Sequence, residues 1–177
     1  MFRTCLASLA FGVLLSAQTV GSSPPSVWTP LQFFVGSWEG TVTGQSGSGT
    51  SLREYRFVLN GKFLDVRNKS SYPAQPKNPK GEEHEDRGMI SYDRSRKVFV
   101  LRQFHVEGFV NQYAAAVPRD GVLRFNSESI ENIPAGYRAR ETHTIQGKDE
   151  FVERFEMANP GGGFEVYSET RFKRKAQ

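Results

Sequence analysis

The chain has 177 residues, a length typical of one globular domain. Hydrophobic residues make up 37% and charged residues 24%, which excludes a disordered chain and leaves enough apolar side chains for a core. A single Cys excludes a disulfide scaffold, a multi-Cys metal site and an iron–sulfur protein. The formal net charge of +4 is spread along the chain, apart from basic residues 171–175, so we predict no nucleic-acid partner.

Residues 1–17 have the order of segments found in a secretory signal. Arg3 supplies a positive charge, residues 6–15 form an apolar run, and two small residues then offer a cleavage site. The run is shorter than the about 20 apolar residues that a membrane-spanning helix needs. We therefore expect cleavage after Ala17, or alternatively after Gly21, and no stable membrane span afterwards. The predicted product is an exported protein, periplasmic or secreted; a retained N-terminal anchor is the alternative.

The rest of the chain has the pattern of short β-strands separated by turns. Residues 18–29 are predicted to be a flexible segment, and a short helical turn at residues 30–34 opens a barrel domain at 30–175. Asn60-Gly61 lies between two apolar runs and is a strong hairpin signal, because both residues tolerate positive φ. Ten strands are predicted, at residues 37–43, 52–59, 62–70, 86–92, 97–106, 108–116, 122–130, 137–145, 150–157 and 164–173.

Two connections are predicted to be long and polar, a Gly/Ser loop at residues 44–50 and a Pro-rich loop at residues 71–85. An acidic stretch around His84, at residues 82–86, covers the end of the second loop and the first residue of the next predicted strand. We interpret this stretch as a solvated loop, with weak divalent-cation binding as the alternative. Both loops are expected to contribute to the rim of the domain.

The predicted fold class is all-β. Ten sequential antiparallel strands favour an up-and-down barrel, because closure removes the exposed edges of the sheet. A barrel of this size can hold a small ligand in its interior.

Alternation along the late strands predicts which side chains face inward. In the eighth predicted strand the inward set is Tyr137, Ala139, Glu141, His143 and Ile145. In the ninth it is Phe151, Glu153, Phe155 and Met157, and in the last it is Phe164, Val166, Ser168, Thr170 and Phe172. An interior that combines aromatic, Glu and His side chains indicates a lined cavity. A register error of one residue would instead place these polar groups in solvent.

The fifth predicted strand gives an ambiguous answer. Arg102 alternates with Val100 and Phe104 and is the favoured interior cation, whereas His105 lies on the opposite face. Both residues are therefore retained as candidates for ligand contact.

The Gly-x-Trp sequence at Gly36-Ser37-Trp38, which follows Leu31-Gln32-Phe33-Phe34-Val35, resembles the calycin signature of lipocalins and related barrels. In that family the Trp plugs one end of the barrel. Asn60-Gly61-Lys62-Phe63-Leu64, Ile90-Ser91-Tyr92-Asp93 and Arg171-Phe172-Lys173-Arg174 follow in order. Together these segments resemble lipocalin-like domains of unknown function, which are related to nitrobindin and to the heme barrels that resemble fatty-acid-binding proteins.

The resemblance carries over only in part. Nitrobindin-like proteins bind heme through a His on a late strand, but residues 150–173 contain no His, so heme is expected only as a hypothesis through His143. No other cofactor is predicted. Fatty-acid-binding proteins hold the ligand carboxylate with Arg and Tyr on late strands, and the imperfect counterparts here are predicted to face outward: Arg138, Arg140, Tyr167 and Arg171. A triad of His84, His105 and His143 is conceivable, but their separation in sequence leaves no predicted metal site.

The predicted function is binding of a small, largely apolar or amphipathic ligand that carries a polar group. The candidate ligand-binding residues are Trp38, Arg102, His105, Tyr137, Glu141, His143, Glu153 and Phe155. One alternative is an isomerase or hydrolase on the same scaffold, with Glu141 and His143 in acid–base roles. Another is a structural or interaction domain with a filled interior. The sequence does not predict the oligomeric state.

Overall fold

The computed structural model describes residues 26–176, which form one short 3-10 helix followed by ten β-strands. The helix (Thr29–Phe34) lies within one residue of its predicted position. The strands are β1 (Gly36–Gly44), β2 (Gly47–Val58), β3 (Phe63–Tyr72), β4 (Glu82–Asp93), β5 (Val98–His105), β6 (Val110–Ala116), β7 (Val122–Glu131), β8 (Arg138–Gly147), β9 (Glu150–Ala158) and β10 (Glu165–Arg174).

The strands form a closed, antiparallel, up-and-down barrel, as the sequence predicts. Each strand pairs with its neighbours in the chain, and β1 pairs with β10 to close the sheet. Trp38 of β1 lies opposite Arg174 of β10 at this seam. Closure satisfies the backbone groups that the first and last strands would otherwise expose.

Turn chemistry explains how consecutive strands reverse direction. Leu59, Asn60 and Gly61 all adopt positive φ between β2 and β3, at 50°, 57° and 73°. Asn and Gly tolerate this region best, which confirms the predicted hairpin. Gly36 has a φ of 119°, a value that favours Gly, and it introduces the chain into β1 just before Trp38.

The two loops predicted to be long are shorter than expected. β1 and β2 are joined by a two-residue turn, so residues 47–50 belong to a strand. β4 begins at Glu82, and the acidic stretch at 82–86 is therefore paired with β3 and not a solvated loop. Its alternate side chains, Glu82, His84 and Asp86, line the barrel interior. These residues form a strand because inward and outward side chains alternate regularly, although the stretch is highly polar.

One end of the barrel is closed by the 3-10 helix and filled with apolar side chains. Trp38 is fully buried, and its Nε1 donates a hydrogen bond of 2.7 Å to the carbonyl of Phe34. The guanidinium of Arg174 lies 4.1 Å from the Trp38 ring and donates hydrogen bonds to the carbonyls of Phe33 and Val35. Trp38 thus closes this end, the position that the calycin resemblance implies.

Alternation predicts the inward faces of β8 and β9 correctly, but only part of β10. Ala139, Glu141 and His143 are buried. In β10 a bulge between Val166 and Ser168 shifts the register. Val166 is therefore 50% exposed, not inward as predicted, because an extra residue reverses the alternation.

Two further side chains near this bulge differ from the predicted orientation. Tyr167 lines the interior, although alternation placed it outside. Phe164 packs under the guanidinium groups of Arg138 and Arg140, at 5.0 and 4.3 Å, not on the predicted inward face. Both differences follow from the local break in alternation.

The packed domain begins before residue 30. Trp28, in the segment predicted to be flexible, is buried against Phe57 and Phe99 at centroid distances of 5.5 and 5.6 Å. The predicted signal at 1–17 lies outside the described residues. No helix within residues 26–176 is long and apolar enough to span a membrane.

Candidate functional site

The end of the barrel opposite Trp38 contains a cavity of about 460 Å³. Its lining differs from side to side. Strands β2 to β5 contribute a polar wall, formed by Arg53, Asn68, Ser70, His84, Asp86, Gln103 and His105. Strands β7 to β9 and the β7–β8 loop contribute an apolar wall, formed by Ile130, Ile133, Ala139, Phe155 and Met157. The cavity can therefore accept a molecule that is polar on one side and apolar on the other.

A polar floor separates this cavity from the closed end. Arg53, Gln103 and Glu141 line the large cavity and also a small cavity of about 10 Å³ beneath it. Leu31 and Phe34 of the helix lie on the far side of the small cavity.

Four residues of the floor form a buried group that we call the inner cluster: Arg53, Glu141, His143 and Glu153. Arg53 and Glu153 form a bidentate ion pair, with Nη2 to Oε1 at 3.1 Å. His143 Nε2 lies 2.9 Å from Glu153 Oε2 and 3.5 Å from Glu141 Oε2. Glu141 pairs with Phe155 and His143 with Glu153 across β8 and β9, so adjacent strands bring these groups together.

The charges of the inner cluster compensate one another. Burial alone would raise the pKa of Glu153, but the charge of Arg53 and the contact with His143 outweigh it and hold that pKa below its usual range. Burial raises the pKa of Glu141, and contact with His143 offsets only part of this effect. Burial would lower the pKa of His143, but contacts with Glu141 and Glu153 raise it. A protonated His143 beside an ionised Glu153 is thus favoured.

Three residues of the polar wall form a second group, the outer cluster: His84, Asp86 and His105. His84 Nε2 lies 3.4 Å from Asp86 Oδ2 and 3.5 Å from His105 Nδ1. The other nitrogen of His84, Nδ1, lies 2.8 Å from Glu107 Oε1. The hydrogen bond to Asp86, opposed by burial, raises the pKa of His84 to about 9. Burial lowers the pKa of His105 to about 4, so this ring is neutral.

Asn68 connects the two clusters. Its Oδ1 accepts hydrogen bonds of 3.1 Å from Nε and Nη2 of Arg53, and its Nδ2 donates one of 2.9 Å to Asp86. Ser51 also donates to Asn68. The polar wall and the floor are therefore one continuous hydrogen-bonded network.

Four of the eight residues predicted to contact a ligand line the cavity, and a fifth, His143, lies directly behind two of them. Glu141, His143 and Glu153 belong to the inner cluster, while His105 and Phe155 line the cavity. The other three do not line it.

Those three residues lie elsewhere in the barrel. Trp38 is in the core at the closed end. Arg102 is on the outer face, where it pairs with Glu131 at 2.6 Å, so the favoured assignment in the fifth strand is wrong and His105 is the inward residue. Tyr137 is half-buried just before β8 and is not among the residues that line the cavity.

Sequence reasoning missed Arg53, Asn68 and Asp86. Arg53 lies in β2 between Ser51 and Tyr55, whose buried side chains alternate with exposed neighbours. That alternation was the available signal for an inward Arg. Asp86 was missed because the acidic stretch that contains it was interpreted as a solvated loop, although its side chains also alternate with a period of two.

His143 is not positioned to contact a molecule in the large cavity. It lines the small cavity and lies behind Glu141 and Glu153, with only 3% of its side chain exposed. A heme iron in the large cavity could not reach this ring, so the residues present do not fit heme ligation through His143. Of the Glu141–His143 pair considered for acid–base catalysis, only Glu141 lines the large cavity. His143 could act on a substrate there only through Glu141.

Solved structures share the fold of this chain. The crystal structure of Rv2717c from M. tuberculosis matches with a TM-score of 0.64 at 17% identity, covering 87% of this chain and 100% of that one. At this identity the likeness shows the fold alone. No protein-family model matches the chain, and no curated protein matches it.

Designed barrels are more distant neighbours. A redesigned barrel, mFAP0, was solved bound to DFHBI and matches with a TM-score of 0.45 at 9% identity, covering 81% of this chain and 100% of that one. A fluorescence-activating β-barrel designed de novo matches with a TM-score of 0.43 at 16% identity, covering 81% and 95%. These scores support no inference about the function of this chain.

Proposed function

We propose that the protein binds a small, largely apolar molecule, with the apolar part against β7 to β9 and a polar group against β2 to β5. The observation that carries this proposal is the two-sided lining of the cavity of about 460 Å³. Cavities of roughly 300–1,000 Å³ with a few convergent polar groups are typical of small-molecule sites. A filled barrel would offer no such space.

The charges of the lining favour a polar group that donates hydrogen bonds. Five carboxylate side chains line the cavity: Glu82, Asp86, Glu107, Glu141 and Glu153. Two cations in the described part of the lining face these carboxylates, Arg53 and His84, whose pKa is raised to about 9. Glu153 compensates the charge of Arg53, and Asp86 with Glu107 compensates that of His84. A neutral or cationic donor on the ligand therefore meets complementary acceptors, whereas a carboxylate meets like charge.

Two fluorescent probes of equal chain length test this proposal: a dansylated alkylamine and a dansylated fatty acid. Both have an apolar body that fits the apolar wall, and they differ in the sign of the terminal charge. We expect the amine to bind more tightly in a fluorescence titration. If neither probe binds at saturating concentration, or if the fatty acid binds more tightly, the proposed ligand chemistry is wrong.

A matched pair of variants on β8 locates the binding. Ala139→Phe places a large side chain in the cavity, while Thr144→Phe places the same side chain on the outer face of the same strand. We expect Ala139→Phe to lose most of its affinity for the amine probe and Thr144→Phe to retain it. Thermal unfolding establishes that both variants fold; unchanged affinity in a folded Ala139→Phe would place the probe outside the barrel.

We also propose that the chain is exported, because residues 1–17 have the segment order of a secretory signal. The intact mass of the protein purified from its own host tests this. We expect a mature chain that begins at Gln18 or Ser22. A mass that includes Met1 would contradict export by signal cleavage.

A further inference from the structure

The outer cluster has the ligand atoms of a transition-metal site. One ligand atom from each of His84, Asp86 and His105 lies within 4.8 Å of the other two. Two imidazoles with one carboxylate suit Zn²⁺ and related divalent ions of the first transition row, whereas Ca²⁺ and Mg²⁺ prefer oxygen ligands.

The two distances from His84 to the other ligands agree with tetrahedral coordination. Ligand atoms about 2.0–2.1 Å from a tetrahedral Zn²⁺ lie about 3.3–3.4 Å from one another. His84 Nε2 is 3.4 Å from Asp86 Oδ2 and 3.5 Å from His105 Nδ1. An ion could therefore enter with small movements of the three side chains, and its fourth position would face the cavity.

Each ligand is oriented by a neighbouring group. Glu107 Oε1 lies 2.8 Å from Nδ1 of His84 and can accept the proton of that nitrogen, while a metal ion would displace the proton that Nε2 shares with Asp86. Gln103 donates to Asp86 Oδ1 at 2.9 Å, and Asn68 donates to Oδ2 at 2.9 Å. Such carboxylate–His contacts and hydrogen-bonded carboxylates are typical outer shells of metal sites.

His105 is fixed in a similar way. Its ring stacks on Phe109 with a centroid distance of 4.0 Å, and its Nε2 lies 3.2 Å from the side-chain amide of Asn111. The same amide lies 2.7 Å from the hydroxyl of Tyr113. In the structure, Nδ2 of Asn111 faces both groups, so metal binding at Nδ1 of His105 requires a flip of the Asn111 amide. The amide oxygen would then accept Nε2–H of His105 and O–H of Tyr113.

The inner cluster offers a contrast in the same barrel. Glu141, His143 and Glu153 also lie within 4.8 Å of one another. There, however, Arg53 already forms a bidentate pair with Glu153 and supplies the compensating cation. No Arg or Lys in the described part of the chain forms a salt bridge with Asp86 or Glu107.

We propose that His84, Asp86 and His105 form a binding site for a divalent transition-metal ion, represented by Zn²⁺, at the polar wall of the cavity. The site does not depend on an organic ligand in the cavity. Zinc titration without any organic probe therefore tests it separately from the small-molecule proposal.

Isothermal titration calorimetry with Zn²⁺ measures the site in the full-length chain without a polyhistidine tag. We expect one equivalent to bind. Asp86→Asn and His105→Gln each remove a ligand and should weaken binding by more than about 100-fold. Glu107→Gln changes a residue that only contacts a ligand and should weaken binding by about 10–100-fold. Asp93→Asn, the same substitution at the other end of β4, is the matched control and should leave the affinity unchanged.

A second measurement needs no variant and so does not depend on their folding. The chain contains three His residues, whose ring nitrogens are observable by ¹⁵N NMR. Saturating Zn²⁺ should shift Nε2 of His84 and Nδ1 of His105 while His143 stays unchanged. If Zn²⁺ shifts none of the three, or shifts only His143, or if Asp86→Asn binds as tightly as Asp93→Asn, the proposal is wrong.

Discussion

The two ends of the barrel are built from the same strands but bury different groups. Phe151 and Phe155 lie on one face of β9, four residues apart. Phe151 is fully buried among Phe34, Trp38 and Phe172, with centroid distances of 4.8–5.2 Å. Phe155 lines the cavity and is only partly buried. One face of one strand thus packs the core at the closed end and lines the cavity at the open end.

The boundary between the two ends is set by charge as much as by shape. The 3-10 helix fills the closed end with Leu31 and Phe34, and the next layer is the inner cluster. Buried charges require partners, so Arg53, Glu153 and His143 are packed together in this layer. They occupy space that apolar side chains would otherwise fill. Beyond this layer the interior is open.

Phe151→Ala should have the largest effect on stability of the changes considered. We expect it to lower the free energy of unfolding by about 3–5 kcal/mol, the range for a large aromatic removed from a packed core. Phe155→Ala, the same change at the open end, should cost only about 1 kcal/mol. Urea unfolding of both variants measures the difference; equal costs would show that the open end is packed as tightly as the closed one.

Glu153→Gln tests the layer between the two ends. It leaves the buried Arg53 without its ionised partner, so we expect a loss of about 3 kcal/mol in the free energy of unfolding. Replacing both residues, as Arg53→Met with Glu153→Met, should cost less than the single change because no unpaired charge remains.

The matched control for this prediction is Glu169→Gln. It breaks an exposed pair with Arg154, whose side chains are 40% and 54% exposed, and should cost less than about 1 kcal/mol. If Glu153→Gln costs no more than Glu169→Gln, the Arg53–Glu153 pair does not define the floor of the cavity.

His143→Gln tests the protonation of the inner cluster. The pKa of His143 is raised above 6.5 in the folded protein, so its protonation stabilises the fold. That contribution is complete below pH 6.5 and is lost as the pH rises through the folded-state pKa. From pH 6.5 upward, unfolding free energies of the wild type should therefore fall more steeply than those of His143→Gln, by at most about 1.4 kcal/mol per pH unit. Parallel curves would show that His143 is not protonated in the fold.

The sequence predicts the barrel better than it predicts the site. Alternation in two adjacent strands was sufficient to place Glu141, His143 and Glu153 together. Arg53 completes that cluster from β2, 100 residues earlier in the chain than Glu153. Only closure of the barrel brings these two side chains together, and no local pattern indicates the pairing.

Local irregularities account for the other differences. The bulge between Val166 and Ser168 reverses the inward and outward faces only at the start of β10, before Ser168. The acidic stretch at the start of β4 has the composition of a loop but the period of a strand. In both places, pairing with a neighbouring strand determines which side chains face inward, and composition does not.

Arg102→Ala should have the smallest effect, although the sequence favours Arg102 as a ligand contact. Arg102 lies on the outer face beside Glu131, with about half of each side chain exposed, at 47% and 50%. Loss of an exposed pair should change the unfolding free energy by less than about 1 kcal/mol. The affinity for the dansylated amine should stay unchanged, as measured by fluorescence titration. Because a slip of one residue exchanges the two faces of a strand, loss of affinity in this variant would place Arg102 inside and His105 outside, and would remove His105 from the outer cluster.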